Sequence, residues 1–178
     1  VSSVQPELFV SAVEAGASMV EIGNFDSFYP KGRFFDEKEV LDLTIRTRKL
    51  FQNIPLSVTV PHTLPLDKQA QLALDLVDAG ADIILFETMG NIQEISCGLE
   101  MVKDLEVPVW LSIIMKDDCH LLDETPIQDV IELINQYHLD CLMTNCNQID
   151  TTLSALDGIL KLWTKEWGVY PNLGITDY

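Results

Sequence analysis

The stretches EAGASMVEIGNF (residues 14–25) and DAGADIILFETM (residues 78–89) are built alike. Each reads as a helix tail, a turn of small residues, and an apolar strand ending in polar groups. Gly16 and Gly80 stand where a helix C-terminus calls for positive φ. The run Ile83–Phe86 is an unbroken apolar segment of strand length and Met19–Ile22 is apolar but for Glu21, the pattern of parallel strands buried on both faces. Repeated helix-to-strand units predict a parallel α/β protein, whose chemistry belongs at the C-terminal ends of the strands.

Working outward, the same unit recurs along the chain. The first strand is read over Val1–Val4, with a short helix from Pro6 to Ala15. The second is Met19–Asn24. A loop with Tyr29, Pro30 and Gly32 leads to Asp36, which has Glu39 three residues on, the spacing of a capping box. The third strand, Leu56–Val60, is closed by Pro61, and Asp67 is expected to cap the next helix. Strands then follow at Asp82–Glu87, Val107–Met115, Asp140–Asn145 and Val169–Asn172. Helices are expected over Ile92–Leu105 and Asp150–Trp167, and one opening at Thr125 as cap with Pro126 as first residue.

Seven parallel strands alternating with helices predict a (β/α) TIM-type barrel, one strand short of closure. An open doubly wound sheet would carry a glycine-rich phosphate loop after its first strand, and VSSVQPE is not one. The 178 residues are read as a single domain, residues 1–178, long enough to bury roughly 70% of the unfolded surface. Two unpaired strand edges would follow from the missing strand, and with them a route to self-association.

Eleven basic against 28 acidic side chains give a net charge of −17. That balance opposes nucleic acid and anionic membranes as partners. No apolar run approaches the ~20 residues of a membrane span. Cys97, Cys119, Cys141 and Cys146 form no CxxC pair, and in an intracellular α/β protein they are expected to be reduced. The sequence shows no Walker loop, nucleophile elbow or HExxH motif.

Two resemblances emerge in succession. The phrases VSAVEAGASMVEIGNFDSFY (residues 10–29) and PLSVTVPHTLPLDKQAQLA (residues 55–73) resemble the chloroplast conserved reading frame twenty-three (Ycf) family of plastids and cyanobacteria. From about residue 80 the chain resembles the homocysteine S-methyltransferase family. The phrases that carry this are ADIILFET (81–88), PVWLSIIMKDDCHLLDETP (108–126), the Asn-Cys pair at 145–146, and VYPNLGITDY (169–178). The resemblance changes near residues 80–85. Both families imply a (β/α) barrel, and the second implies Zn2+-activated methylation of homocysteine.

Methylating a thiol requires a thiolate, and a metal ion supplies one by deprotonating a coordinated thiol. The resemblance implies three zinc cysteines, of which Cys146 matches the first. The other two belong to a Gly-Gly-Cys-Cys turn at the last strand, for which the chain as far as Tyr178 has no counterpart. Cys141 lies five positions before Cys146, about 16 Å along a strand, and the odd spacing turns it to the opposite face. Cys119 and His120 lie in a loop on the same side as Cys146, though adjacent residues rarely face one metal. Glu87 matches the family position that holds the homocysteine amino group. Asn145 either orients substrate or braces the site, and Asn172 with Tyr170 belongs to the YPN phrase. Asn24, Asp26 and His62 also end strands. The acidic set Asp117, Asp118, Asp123 and Glu124 lacks the alternation of a calcium loop and is read as a solvated turn.

The sequence leaves three functional readings. One is a homocysteine S-methyltransferase-like enzyme with homocysteine and a methyl donor as small-molecule partners, its activity depending on zinc donors beyond Cys146. Another is a non-catalytic or regulatory barrel of the chloroplast type. The third is a barrel fragment without function of its own. The expected compartment is the cytoplasm or plastid stroma of a photosynthetic organism.

Overall fold

The computed structural model describes residues 2–3, 5–23, 25–26, 32–61 and 63–172. They form two compact units, one of residues 1–85 and 105–108, the other of residues 86–104 and 109–178. The division falls near the point where the sequence resemblance changes, inside one strand.

In the first unit, β1 (Ser2–Ser3) is followed by a 3-10 turn at Pro6–Leu8 and α1 (Phe9–Glu14). Gly16 takes φ +98 just after that helix. Next come β2 (Val20–Ile22), a hairpin of β3 (Phe25–Asp26) and β4 (Arg33–Phe34), and α2 (Glu37–Leu50). The unit is completed by β5 (Leu56–Thr59), α3 (Leu66–Asp78) and the start of β6 (Ile83–Met89). β1 pairs with β2, β2 with β5, and β5 with β6, all parallel. The short antiparallel β3–β4 pair was not anticipated from sequence, and it occupies part of the stretch read there as a loop.

The capping box expected at α2 is present: the Asp36 carboxylate accepts from the Glu39 amide, and Glu39 accepts from the Asp36 amide. Asp67, by contrast, does not cap α3. Pro65, with φ −54, precedes the helix, which starts at Leu66. The core of this unit gathers Val20, Ile22, Val58, Leu72, Leu76 and Ile84, with Phe9 set edge-on to Phe51 at 6.3 Å between ring centroids.

The second unit contains the end of β6, then α4 (Ile92–Val102), β7 (Val109–Ile113) and α5 (Ile127–Ile134). It continues with β8 (Cys141–Gln148), α6 (Ile149–Leu162) and β9 (Glu166–Asn172). β7 pairs with β8 and β8 with β9, again parallel. Pro126 is the residue before α5, which begins at Ile127, one position later than the sequence suggested. α6 stops at Leu162 rather than Trp167: Trp163 turns out of the helix and its indole N–H donates to the Glu166 carbonyl, so β9 opens at once.

Both units use one device at the strand starts. The Asp82 amide donates to the Leu56 carbonyl while its carboxylate accepts from the Leu56 amide at 2.8 Å. The Asp140 amide donates to the Val109 carbonyl, and its carboxylate accepts from the Val109 amide at 2.9 Å. Each aspartate thus grips the first residue of the preceding strand with two bonds. In the first unit Arg48 closes the arrangement by donating to the Asp82 carboxylate and to the Gly80 carbonyl. Gly80 has φ +106, and an added Cβ would lie 2.9 Å from the Arg48 Cγ, so glycine is required there for both reasons.

Replacing Asp140 by alanine leaves the part-buried Val109 amide without its carboxylate. We expect a loss of about 1–2 kcal/mol in urea unfolding. A change within experimental error would show that the grip does not hold the strand.

Candidate functional site

The C-terminal ends of β6, β8 and β9 carry the expected residues of the second unit in two hydrogen-bonded sets, one of Asn145, Cys146 and Asn172 with Thr88, the other of Glu87 with Tyr170. β8 does not stop at Asn145 but runs to Gln148, through a register shift against β9 between Asn145 and Gln148. A bulge of this kind re-aims a side chain. The residue re-aimed is Cys146, which takes φ +61. Thr88, next to Glu87 on β6, also has φ +61. A β-branched residue in the left-handed region is a true backbone outlier, and such strain costs on the order of 1–3 kcal/mol per residue.

The two strained residues face each other, with the Thr88 hydroxyl 3.9 Å from the Cys146 sulfur. Asn145 sits between them. Its amide nitrogen donates to the Thr88 hydroxyl at 2.7 Å and contacts the Cys146 sulfur at 3.3 Å. Its amide oxygen accepts from the hydroxyl of Ser112, a buried residue of β7, at 2.9 Å. These bonds tie β8 to β6 through Thr88 and to β7 through Ser112. Asn172 donates to the Cys146 carbonyl at 2.8 Å and holds the bulge from the β9 side. Asn147 fastens the adjoining backbone, its amide donating to the Met115 carbonyl and accepting from the Met115 amide.

Glu87 lies one residue before Thr88, half-buried, and accepts from the Tyr170 hydroxyl at 3.2 Å. Burial pushes its carboxyl above the usual glutamate range, and the Tyr170 bond offsets part of that rise. Among the described residues it is in no ion pair with Lys, Arg or His. Burial also raises the Cys146 thiol; the Thr88 contact lowers it and the Glu87 charge raises it again.

Thr88, Ser112 and Asn147 were not foreseen. Their sequence signal is only that each stands near a strand end already singled out. His62 and Asn24 lie outside the described residues, as does the side chain of Asp26. Cys141 is buried at the start of β8, and Cys97 is exposed on α4. The acidic turn after β7 is exposed but not merely solvated: Asp117 accepts from the Cys119 and His120 amides, and Asp123 from those of Ile92 and Thr125.

A catalytic zinc takes three protein donors and leaves one position for substrate. Cys146 offers one sulfur, beside a hydroxyl and a carboxamide. Among the described residues, no group of three His, Cys, Asp or Glu ligand atoms within 4.8 Å of one another includes it. The residues described around Cys146 therefore do not by themselves fit a bound zinc.

Two family models match the chain, overlapping over residues 67–113. A family model described as a protein of unknown function, DUF561, matches residues 1–113, and one described as homocysteine S-methyltransferase matches residues 67–178. The uncharacterized protein ycf23 of Cyanophora paradoxa is 47% identical over 100 residues, covering 56% of this chain and 40% of the relative. The homocysteine S-methyltransferase of Escherichia coli (strain K12) is 36% identical over 101 residues, covering 56% of this chain and 33% of the relative. The chain thus spans less than half the length of either relative. Among solved structures, the apo form of the Escherichia coli homocysteine methyltransferase MmuM has a TM-score of 0.76 at 26% identity, covering 95% of this chain and 71% of that one. The TIM-type fold class is thereby established.

The raised thiol gives a direct expectation. In a Cys97→Ser, Cys119→Ser background, alkylation of Cys146 followed by peptide mass analysis should show a midpoint above the ordinary thiol value of 9.0. Glu87→Gln should lower that midpoint by removing the neighbouring charge. A midpoint below the ordinary value would contradict this account of the sulfur's surroundings.

Proposed function

We propose that this chain, which belongs to the homocysteine S-methyltransferase family over residues 67–178 and to the DUF561 family of unknown function over residues 1–113, holds a homocysteine-type amino-acid thiol at the strand ends of its second unit, as methyl acceptor. The observation that carries this reading is Glu87. A half-buried carboxylate with a tyrosine hydroxyl on one oxygen, and no cation in an ion pair with it among the described residues, is short of one positive charge. The ammonium of an amino acid supplies that charge, and ion pairing in a partly desolvated site strengthens the contact.

The remaining groups fit a small polar ligand with a sulfur. Asn145 and Asn172 hold the Cys146 segment rigid, so a ligand anchored on Glu87 meets a fixed surface rather than a mobile loop. Tyr170 fixes the Glu87 carboxylate and leaves its second oxygen for the ammonium. We assign Cys146 as a single zinc donor; a metal bound there needs two more protein donors than the described residues place around it. The acceptor sulfur is activated when its proton is removed, and the Cys146 thiol, raised by burial, stays protonated near neutral pH and cannot take that proton. A zinc ion completed by donors beyond those described would supply the acidity instead.

The non-catalytic reading makes a different prediction, independence of zinc with retained folding when Cys146 is replaced. The ycf23 likeness of the first part supports a plastid stroma, or the cytoplasm of a photosynthetic cell, as the compartment. No described helix is long and apolar enough to cross a membrane. Self-association through β9, an edge strand of its ladder, belongs to the same proposal.

Calorimetric titration with L-homocysteine, with and without Zn2+, tests the reading. Binding should weaken at least about ten-fold in Glu87→Ala, the scale of one lost charge-assisted bond. Because burial raises the Glu87 carboxyl, affinity should fall on acidification beginning above the usual glutamate value of 4.5: the protonated acid cannot pair with an ammonium. Zinc retained near Cys146 should disappear in Cys146→Ser. Homocysteine affinity that is absent, or indifferent to Glu87, would overturn the proposal.

A further inference from the structure

The turn after β7 carries a second donor set that does not involve Cys146. Its backbone is held by cross-bonds, with the Lys116 amide donating to the His120 carbonyl at 2.8 Å and the Ile127 amide to the Cys119 carbonyl at 2.8 Å. Leu121, fully buried, anchors the turn to the core of the second unit. In this frame the adjacent residues Cys119 and His120 do turn to one side: the Cys119 sulfur lies 3.2 Å from the His120 Nδ1. The same nitrogen lies 3.0 and 3.1 Å from the two oxygens of Asp117. One ligand atom from each of the three residues falls within 4.8 Å of the others.

We propose that Asp117, Cys119 and His120 form a mononuclear binding site for a borderline-soft divalent cation of the Zn2+ class. The geometry supports it first. Tetrahedral bonds of about 2.0–2.3 Å place neighbouring ligand atoms roughly 3.3–3.6 Å apart, so the two pairs that share the His120 Nδ1 are within a few tenths of an ångström of that spacing. The donor chemistry supports it next. One carboxylate, one thiolate and one imidazole select zinc-like ions over the hard cations that acidic turns usually attract.

The ligands are also held in place by the fold. Asp117 Oδ1 accepts from the Cys119 and His120 amides at 2.9 and 2.8 Å, which fixes the carboxylate and leaves Oδ2 to face the ion. The surroundings are acidic: Asp118 and Asp150 line an adjoining shallow groove with Thr151 and Ser154. Lys116 lines that groove too, but its ammonium is paired with Glu124 at 2.5 Å. Three protein donors leave the fourth position of the ion to water. Binding replaces the thiol proton of Cys119 by the metal and releases that proton to solvent, while His120 coordinates through Nδ1 and keeps its proton on Nε2.

The test is a Co2+ titration of the purified full chain, read by the thiolate-to-cobalt charge-transfer band and the visible ligand-field bands of a tetrahedral ion. Cys146→Ser should retain one equivalent with both features, separating this site from the one proposed above. Cys119→Ser added to the Cys146→Ser background should lose the charge-transfer band. His120→Gln and Asp117→Asn should weaken binding by at least the roughly 10–100-fold that even a supporting residue costs a metal site. Circular dichroism confirms that each variant is folded, which the exposure of Cys119 leads us to expect. Displacement by Zn2+ should abolish the spectrum and raise the melting temperature in wild type and in Cys146→Ser alike. A charge-transfer band that survives Cys119→Ser in the Cys146→Ser background, or that never forms in Cys146→Ser, would overturn the proposal.

Discussion

The strand-start aspartates are the constraint on which the rest depends. A parallel ladder has no turn to set its register, since its strands are joined by long crossovers. A slip of one residue would send every side chain of the strand to the opposite face. Asp82 and Asp140 remove that freedom, each binding the first residue of the neighbouring strand through both its amide and its carboxylate. With β8 held against β7 so that Thr144 pairs with Ile113, Asn145 reaches the hydroxyl of Ser112. The brace on Cys146 is therefore set from the opposite end of the strand.

How much of this was legible in the sequence follows from the range of each interaction. Gly16 and Gly80 announced the helix ends because positive φ is a local demand. The capping box was legible because its partners are three residues apart, and the strand at Ile83–Phe86 because burial on both faces leaves an unbroken apolar run. Glu87, Asn145, Cys146 and Asn172 were picked out by strand ends and family phrases. What escaped was the way they are joined. Thr88 meets Asn145 across 57 positions and Tyr170 meets Glu87 across 83, and no local pattern records either. Nor does composition reveal that Cys146 has φ +61, since ordinary strand residues precede it.

The two candidate sites differ in how their charge is arranged. At Glu87 a single carboxylate is raised by burial, which suits it to meet one cation of modest size. At the β7 turn the Cys119 amide above all keeps the Asp117 carboxyl low, at about 2, while loss of solvation and the carboxylates of Asp118 and Asp117 push the Cys119 thiol up to about 11. A thiol so raised stays protonated near neutral pH unless a metal displaces the proton. The first arrangement selects an organic ammonium; the second rewards an ion that bonds sulfur directly.

The position of the aspartate grips has a consequence for inheritance. Asp82 and Leu56 both lie in the first compact unit, and Asp140 and Val109 both lie in the second. Each half of the chain therefore carries its own register key. An exchange of sequence within β6 separates neither key from its lock, so segments from two lineages can be spliced there with each ladder still aligned by residues of its own.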